Sequence, residues 1–146
     1  MIKLMKRLIK KFILISVTFI LNVLRKFGIG RYTIDLILNQ CINHVVEVEC
    51  KGTMKFVVPN SLNHFRIETF ATKEPETLEW IDKFKNNSIL WDIGANIGLY
   101  SVYAAIQKNC KVYAFEPSVF NIELLARNIW LNRLTDKITI VPNPLS

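Results

Sequence analysis

The segment LWDIGANIGLY, residues 90–100, ends an apolar run with an acid and then places two glycines close together. Asp92 is the acid, and Gly94 and Gly98 bracket the middle of the loop. Glycine adopts backbone dihedrals that are closed to other residues, and it lets a ligand approach the backbone closely. Asn is the best non-glycine residue for a left-handed position. We therefore predict a tight loop in which the side-chain amide of Asn96 faces a ligand.

A second acid, Glu116, lies in the segment YAFEPS, 22 positions after Gly94. An acid about twenty residues beyond a glycine loop is placed to accept hydrogen bonds from ribose hydroxyls. Pro117 follows and turns the chain. Two spaced glycines alone are a weak signal, and a Glu at a strand end is commonly a solvated loop residue. Together the two signals predict a ligand that contains adenosine.

The elements around these residues alternate regularly. The sequence predicts a strand from Ile89 to Trp91, a helix over LYSVYAAIQK, a strand over KVYAF, a helix over SVFNIELLARNIWLN with Ser118 as N-cap, and a strand over KITIV. This order is typical of an α/β fold with a Rossmann-like, doubly wound parallel sheet and right-handed connections. Ligands of such sheets bind at the carboxyl ends of the strands, where Gly94 and Gly98 lie.

The earlier half of the chain has a different pattern. Helical spacing over YTIDLILNQCI is followed by alternation from Val45 to Val58, which predicts a hairpin closed by Pro59 and Asn60. KEPETLEWIDKF begins like a helix, because Pro75 suits a first turn. We expect three parts: a basic hydrophobic helix at 1–30, a helix and hairpin at 31–72, and a ligand-binding half-domain at 73–146.

The formal charge of +7 is located entirely at the N-terminus. Residues 1–26 contain seven Lys and Arg and no acid, and the 12 basic residues after them are balanced by all 12 acids. A basic footprint spread over the fold is therefore absent, and we expect no nucleic-acid partner.

The basic N-terminal segment contains thirteen mostly apolar residues, Phe12 to Leu24. This run is shorter than the eighteen or so residues that indicate a membrane span, and no cleavage site of a signal peptide follows it. Two interpretations stay open. In the first, the segment lies on a membrane surface with its lysines towards anionic head groups, so that residues 1–26 make a peripheral membrane contact. In the second, it is a helix that packs on the domain or on a partner.

Three cysteines without a close-spaced pair indicate neither a disulfide framework nor a zinc site. Cys41 and His44 have the spacing of half a metal site, but no second pair accompanies them. We expect no metal and a reducing, cytoplasmic location, with membrane association only through the N-terminal segment.

The segments LWDIGANIGLYSVYAA and VYAFEPSVFNIELLARNIWLN resemble the first two cofactor motifs of class I S-adenosylmethionine-dependent methyltransferases. More narrowly, DIGANIG, the preceding KEPETLEWI and the EPS with its following helix resemble the FkbM family, over about residues 54–146. The resemblance implies S-adenosylmethionine as cofactor and methyl transfer to a hydroxyl of a sugar or another small acceptor. It implies these cofactor-binding residues: Glu74, Asp92, Gly94, Ala95, Asn96, Gly98, Glu116, Pro117, Ser118 and Asn121.

Within that set, the loop residues from Asp92 to Gly98 match the surroundings of the methionine part and Glu116 matches the ribose acid. Ser118 and Asn121 fall where side chains approach the adenine or ribose edge. Glu74 matches the acid before the family's proline, and its alternative role is charge at a helix N-terminus. Asp92 has the alternative role of capping the neighbouring helix, but an acid near a sulfonium cation and a free amino group is electrostatically useful. A loop that binds adenosylmethionine needs to accommodate no phosphate, unlike one that binds the pyrophosphate of NAD. An acid at Asp92 and an amide at Asn96 therefore favour adenosylmethionine over NAD.

The third strand is followed only by PNPLS, whereas a complete class I methyltransferase has about seven strands. We therefore expect a fragment, the cofactor-binding part of an enzyme truncated after the third strand, and we assign neither the acceptor pocket nor a general base. Two alternatives are an NAD-dependent oxidoreductase with a divergent glycine loop and an inactive remnant that acts at a membrane surface.

Overall fold

The structure is a computed structural model that describes residues 2–144. Met1, in the expected N-terminal helix, and Leu145 and Ser146, in the expected half-domain, lie outside the described residues. The chain divides into two compact units, Met1–Cys41 and Ile42–Ser146. This division falls inside the expected 31–72 segment, because the hairpin belongs to the same unit as the parallel sheet.

The first unit contains α1 (Ile2–Lys26) and all of α2 (Gly30–Ile42) except its last residue. Arg25 and Lys26 lie in the last turn of α1, where positive charge is favoured by the helix dipole. At Gly30 a Cβ atom would approach the backbone nitrogen of Arg25 to 2.5 Å, so the close turn between the helices requires glycine. None of the helices in residues 2–144 is both long enough and apolar enough to cross a membrane.

The second unit begins with the predicted hairpin, β1 (Val45–Glu49) and β2 (Thr53–Val57). The strands are antiparallel, with Val45 opposite Val57 and Glu49 opposite Thr53. Met54 and Phe56 on β2 are completely buried, while Thr53 and Lys55 are exposed. The alternation that predicted this hairpin is therefore the alternation of its two faces.

Three short helices follow the hairpin: α3 (Ser61–Glu68), α4 (Phe70–Lys73) and α5 (Pro75–Asp82). The side chain of Asn60 caps α3 by accepting a hydrogen bond from the backbone nitrogen of Asn63 at 3.0 Å. Only α5 is a predicted helix; α3 and α4 were not predicted. Pro75 occupies the first turn of α5, as expected.

The parallel sheet contains β3 (Ile89–Ile93), β4 (Lys111–Phe115) and β5 (Ile138–Val141), in that spatial order. The connections are α6 (Leu99–Lys108) and α7 (Val119–Leu131). Ile89 is paired with Lys111, and Val112 with Ile138. The predicted α/β fold with a parallel sheet is confirmed, and β3 is two residues longer than expected.

The two faces of this sheet differ in burial. Leu90, Val112 and Ala114 are buried in the core, whereas Ile89 and Trp91 are 65% and 60% exposed. A doubly wound sheet carries helices on both faces. In the described residues the three strands lie side by side in sequence order. Right-handed connections between such strands place the two connecting helices, α6 and α7, on the same face. These two helices therefore leave the face of Ile89 and Trp91 uncovered.

Asn128 on α7 joins the hairpin to the glycine loop. Its side-chain oxygen accepts a hydrogen bond from the backbone nitrogen of Val57 at 2.8 Å. Its side-chain nitrogen donates to the carbonyl oxygen of Ile97, also at 2.8 Å. Asn128 is completely buried, so these two bonds satisfy a polar group that would otherwise be costly in the core.

Candidate cofactor-binding site

Three left-handed residues shape the loop after β3. Gly94, Asn96 and Gly98 have φ angles of 81°, 54° and 89°, so the predicted left-handed conformation of Asn96 is confirmed. The backbone nitrogens of Gly94 and Ala95 both donate to the carbonyl oxygen of Phe115 at 2.9 Å. The loop is therefore tied directly to the end of β4.

Gly98 also permits close packing, because a Cβ atom there would approach Cδ1 of Leu125 to 2.5 Å. At Gly94 a Cβ atom would meet no protein atom within 4 Å. Glycine at 94 is thus required by its positive φ, and the surface above it is accessible to a ligand.

Glu116 is 5% exposed, and its carboxylate is bonded to the chain itself. One oxygen accepts from the backbone nitrogen of Asn96 at 2.8 Å. The other accepts from the backbone nitrogen of Ser118 at 2.9 Å and from the amide of Asn121 at 3.2 Å. A carboxylate has about four acceptor positions, so Glu116 can accept one further hydrogen bond without losing these three. Its role as the ribose acid stays a prediction.

Asp92 is partly buried at the carboxyl end of β3 and accepts a hydrogen bond from the hydroxyl of Ser101 at 2.6 Å. Burial raises the pKa of Asp92, the hydrogen bonds from Ser101 oppose that rise, and the negative charge of Glu116 adds to it. Asp92 is thus bonded to a side chain in the first turn of α6, and it also lines a cavity.

That cavity has a volume of about 340 Å³ and lies over the glycine loop. The volume is within the range of small-molecule sites. It brings together Glu74, Asp92, Gly94, Ala95 and Asn96 from the predicted set. The other lining residues are Arg66, Phe70, Lys73, Ile93, Ile97, Leu99 and Tyr100.

A second cavity of about 230 Å³ lies at the ends of β3 and β4 and shares Ile93 and Gly94 with the first. It is also lined by Phe115, Pro117, Asn143 and Pro144. Pro117 is thus a predicted site residue that lines the second cavity and not the first. Gly98, Glu116, Ser118 and Asn121 line neither cavity. Ser118 and Asn121 instead support the carboxylate of Glu116, and the expected side-chain cap of Ser118 on α7 does not form.

Arg66 on α3 is a site residue that sequence reasoning missed. Its guanidinium donates to the side-chain oxygen of Asn96 at 2.8 Å and to that of Asn63 at 3.2 Å. The amide oxygen of Asn96 is thus held by Arg66, whereas it was expected to face a ligand. Because α3 was not predicted, nothing in the sequence indicated that Arg66 reaches the loop.

Glu74 lies between α4 and α5, and its side chain points to α6. It accepts a hydrogen bond from the hydroxyl of Tyr100 at 2.9 Å, and Lys73 lies 3.8 Å from its other oxygen. Burial, and then the bond to Glu74, raise the pKa of Tyr100 far above its usual range. Glu74 makes no side-chain cap on α5. The cavity therefore has two cationic and two carboxylate side chains in its lining.

Two curated relatives are methyltransferases. The chain is 34% identical to the tRNA (guanine(37)-N(1))-methyltransferase of Dictyostelium discoideum over 65 residues, which are 44% of this chain and 14% of the relative. It is 30% identical to the ribosomal protein L11 methyltransferase of Carboxydothermus hydrogenoformans over 69 residues, 47% of this chain and 23% of the relative. The chain therefore spans less than a quarter of the length of these relatives.

Solved structures confirm the fold. The tRNA m1G37 methyltransferase of M. jannaschii is 22% identical, with a TM-score of 0.50, and the match covers 69% of this chain and 30% of that one. TYW2 of P. horikoshii in complex with MeSAdo is 22% identical, with a TM-score of 0.51, over 68% of this chain and 36% of that one.

No family model matches the chain, so the finer resemblance to the FkbM family is not confirmed. The chain is similar in sequence to methyltransferases and has the fold of their class I type, which supports S-adenosylmethionine as the cofactor.

Proposed function

We propose that the second unit binds S-adenosylmethionine and is the cofactor-binding part of a methyltransferase. The observation that carries the proposal is the left-handed loop at Gly94, Asn96 and Gly98, closed onto Glu116 by a 2.8 Å hydrogen bond from the backbone of Asn96. A loop at the carboxyl end of the first parallel strand is where such folds bind their ligands.

The charges of the larger cavity suit the methionine end of this cofactor. That end carries a carboxylate and an ammonium group next to a sulfonium. Arg66 and Lys73 are the cations available to the carboxylate, and Asp92 and Glu74 are the acids available to the positive groups. The adenosine then extends past Gly94 towards Glu116 and the smaller cavity with Pro117 and Asn143.

The same charges argue against NAD. A pyrophosphate is favoured by backbone N–H groups at a helix N-terminus without a nearby acid, but Asp92 binds the first turn of α6 here. Both curated relatives are methyltransferases. These observations favour adenosylmethionine over the NAD-dependent alternative.

When bound, S-adenosylmethionine would supply an electrophilic methyl group, which the acceptor would take in an in-line displacement with S-adenosylhomocysteine as the leaving group. Most of the catalysis then comes from alignment of the two reactants. The contribution of this chain is to hold the cofactor, with Arg66 fixing the loop through Asn96 and Asp92 fixing α6 through Ser101.

Two acceptor classes follow from different observations. The FkbM resemblance implies a hydroxyl of a carbohydrate or another small molecule. Both curated relatives are named for macromolecules, tRNA and a ribosomal protein, and the tRNA methyltransferase conflicts with the expectation of no nucleic-acid partner. Transfer of labelled methyl groups to total tRNA, to ribosomal protein or to a panel of sugars, catalysed by the intact natural protein, distinguishes the macromolecular class from the small-molecule class.

Calorimetric titration of the chain with S-adenosylmethionine tests the cofactor assignment. We expect Glu116→Gln to weaken binding by about tenfold or more, since a buried hydrogen bond to a charged acceptor is worth about 1.5–3 kcal/mol. Glu123→Gln, an exposed acid on α7, is the matched control and should leave binding unchanged. Unchanged affinity in Glu116→Gln would disprove the ribose assignment, and binding of NAD in place of S-adenosylmethionine would disprove the proposed class.

A further inference from the structure

Helix α1 has two chemically distinct faces along its first three turns. Met5, Leu8, Ile9 and Phe12 recur with the spacing i, i+3, i+4 and i+7, which places them on one face. These four side chains are 50–71% exposed. Four basic residues fall on the opposite face at the positions between them: Lys6, Arg7, Lys10 and Lys11.

This basic face is not balanced by acids. Residues 1–26 contain no Asp or Glu, and the formal charge of +7 of the whole chain equals the number of Lys and Arg in that segment. A basic face and an apolar face of comparable width therefore run side by side on α1. The apolar face is stabilised by apolar surroundings and the basic face by negative charge, so a partner for α1 must supply both.

Most partners supply only one of them. RNA neutralises basic side chains through its phosphates, but it leaves Leu8 and Phe12 in water. A second copy of α1 covers the apolar face, yet it brings two sets of like charges together. An anionic lipid surface supplies both environments, because phosphates lie directly above the acyl chains.

We propose that α1 lies in the plane of an anionic membrane surface. The apolar face of Met5, Leu8, Ile9 and Phe12 enters the boundary between head groups and acyl chains, and the basic face contacts lipid phosphates. Such a helix lies on the bilayer and does not cross it, in agreement with the absence of a spanning helix in residues 2–144. This surface goes beyond the proposed methyl transfer, and it attaches the first unit to a lipid interface.

Co-sedimentation of the full chain with lipid vesicles tests the proposal. The probes are phosphatidylcholine vesicles with and without roughly a third of phosphatidylserine. Each basic residue near such an anionic surface strengthens binding by about fivefold. We expect the partition coefficient of the double variant Lys10→Gln, Lys11→Gln on anionic vesicles to fall by about tenfold or more. Lys83→Gln with Lys85→Gln removes the same charge from an exposed part of the second unit, and binding should change less than about twofold.

The apolar face has its own variant. Leu8→Gln with Phe12→Gln keeps the charge and uses a residue that favours helices, and it should abolish vesicle binding. Circular dichroism checks that the helix content of each variant is unchanged. Cofactor affinity of the same variants, measured by calorimetry, should equal that of the unchanged chain, so this test is independent of the methyltransferase proposal.

Three results would overturn the proposal. The first is equal loss of vesicle binding in the Lys10, Lys11 variant and in the Lys83, Lys85 control. The second is binding to total tRNA together with no binding to anionic vesicles. The third is a dimer in solution that becomes monomeric in the Leu8, Phe12 variant while neither protein sediments with lipid.

Discussion

Asp92 carries two functions that act on the same carboxylate. It holds the first turn of α6 through Ser101, and it lines the cavity that we assign to the methionine end of the cofactor. Burial raises its pKa above the ordinary value of 3.8. Ionised Asp92 attracts a cationic ligand, whereas protonated Asp92 still bonds to Ser101. The state of one proton therefore changes binding more than it changes the fold.

We expect the affinity for S-adenosylmethionine to fall on acidification through the raised pKa of Asp92. The sign follows from the ligand: the cation favours the ionised carboxylate, and the free protein holds the proton more tightly than an exposed Asp does. The loss therefore begins at a pH above 3.8. Asp92→Asn should bind more weakly at neutral pH and lose this acid limb. Calorimetry across a pH series measures both, and an unchanged pH profile in Asp92→Asn would show that another group is responsible.

Arg66 acts on the cavity from α3 by holding the side chain of Asn96. We expect Arg66→Met to weaken cofactor binding by about tenfold, since a hydrogen bond from a charged donor contributes about 1.5–3 kcal/mol. His64→Gln changes an exposed residue of the same helix and is the control. A cofactor affinity that is equal in Arg66→Met and in the unchanged chain would contradict the role given to Arg66.

Among the elements, the strands and helices from Ile89 to Val141 were predictable because their apolar residues are regular and their loops are short. The glycine loop was predictable in conformation, and Asn96 is left-handed as expected. The helices α3 and α4 were not predictable, because eight and four residues with few apolar positions leave no clear period. Arg66 was missed for that reason. The inward bonds of Ser118 and Asn121 to Glu116 depend on tertiary geometry that spacing does not contain.

The link between hairpin and loop gives a prediction at this scale. We expect Asn128→Ala to destabilise the fold by about 2–4 kcal/mol, because it leaves the buried nitrogen of Val57 and the carbonyl of Ile97 without their partner. Asn132→Ala removes similar bonds to Lys55 at a more exposed position and should cost about 1 kcal/mol. Urea denaturation measures the two free energies of unfolding. Equal values would contradict the importance of burial at Asn128.

At the scale of the whole molecule, the parallel sheet of the second unit is covered on one face in residues 42–144. Neighbouring residues of β3 lie on opposite faces of the sheet, because successive side chains of a strand point to opposite sides. Their exposed fractions therefore show how well each face is covered. Leu90 is 5% exposed and Ile89 is 65% exposed. The apolar face with Ile89, Trp91 and Ile93 is thus a surface of the described chain.

The difference in burial between Leu90 and Ile89 predicts that substitutions at the two positions change the stability of the fold by different amounts. We expect Leu90→Ala to lower the free energy of unfolding by about 2–4 kcal/mol through the cavity that it creates. Ile89→Thr, which keeps a β-branched side chain, should change it by no more than about 0.5 kcal/mol. Thermal or urea unfolding of the 146-residue chain measures both, and a large loss in Ile89→Thr would show that this face is packed in solution.

The two bonds of Asn128 also bear on how the second unit can be inherited. A segment that began at residue 73 would leave out Val57, which is one of the two partners of Asn128; the other partner is the carbonyl oxygen of Ile97 in the glycine loop. The hairpin is therefore part of the loop's support rather than an appendage. Recombination between related genes that left the hairpin behind would therefore remove one of the two hydrogen bonds of the buried Asn128.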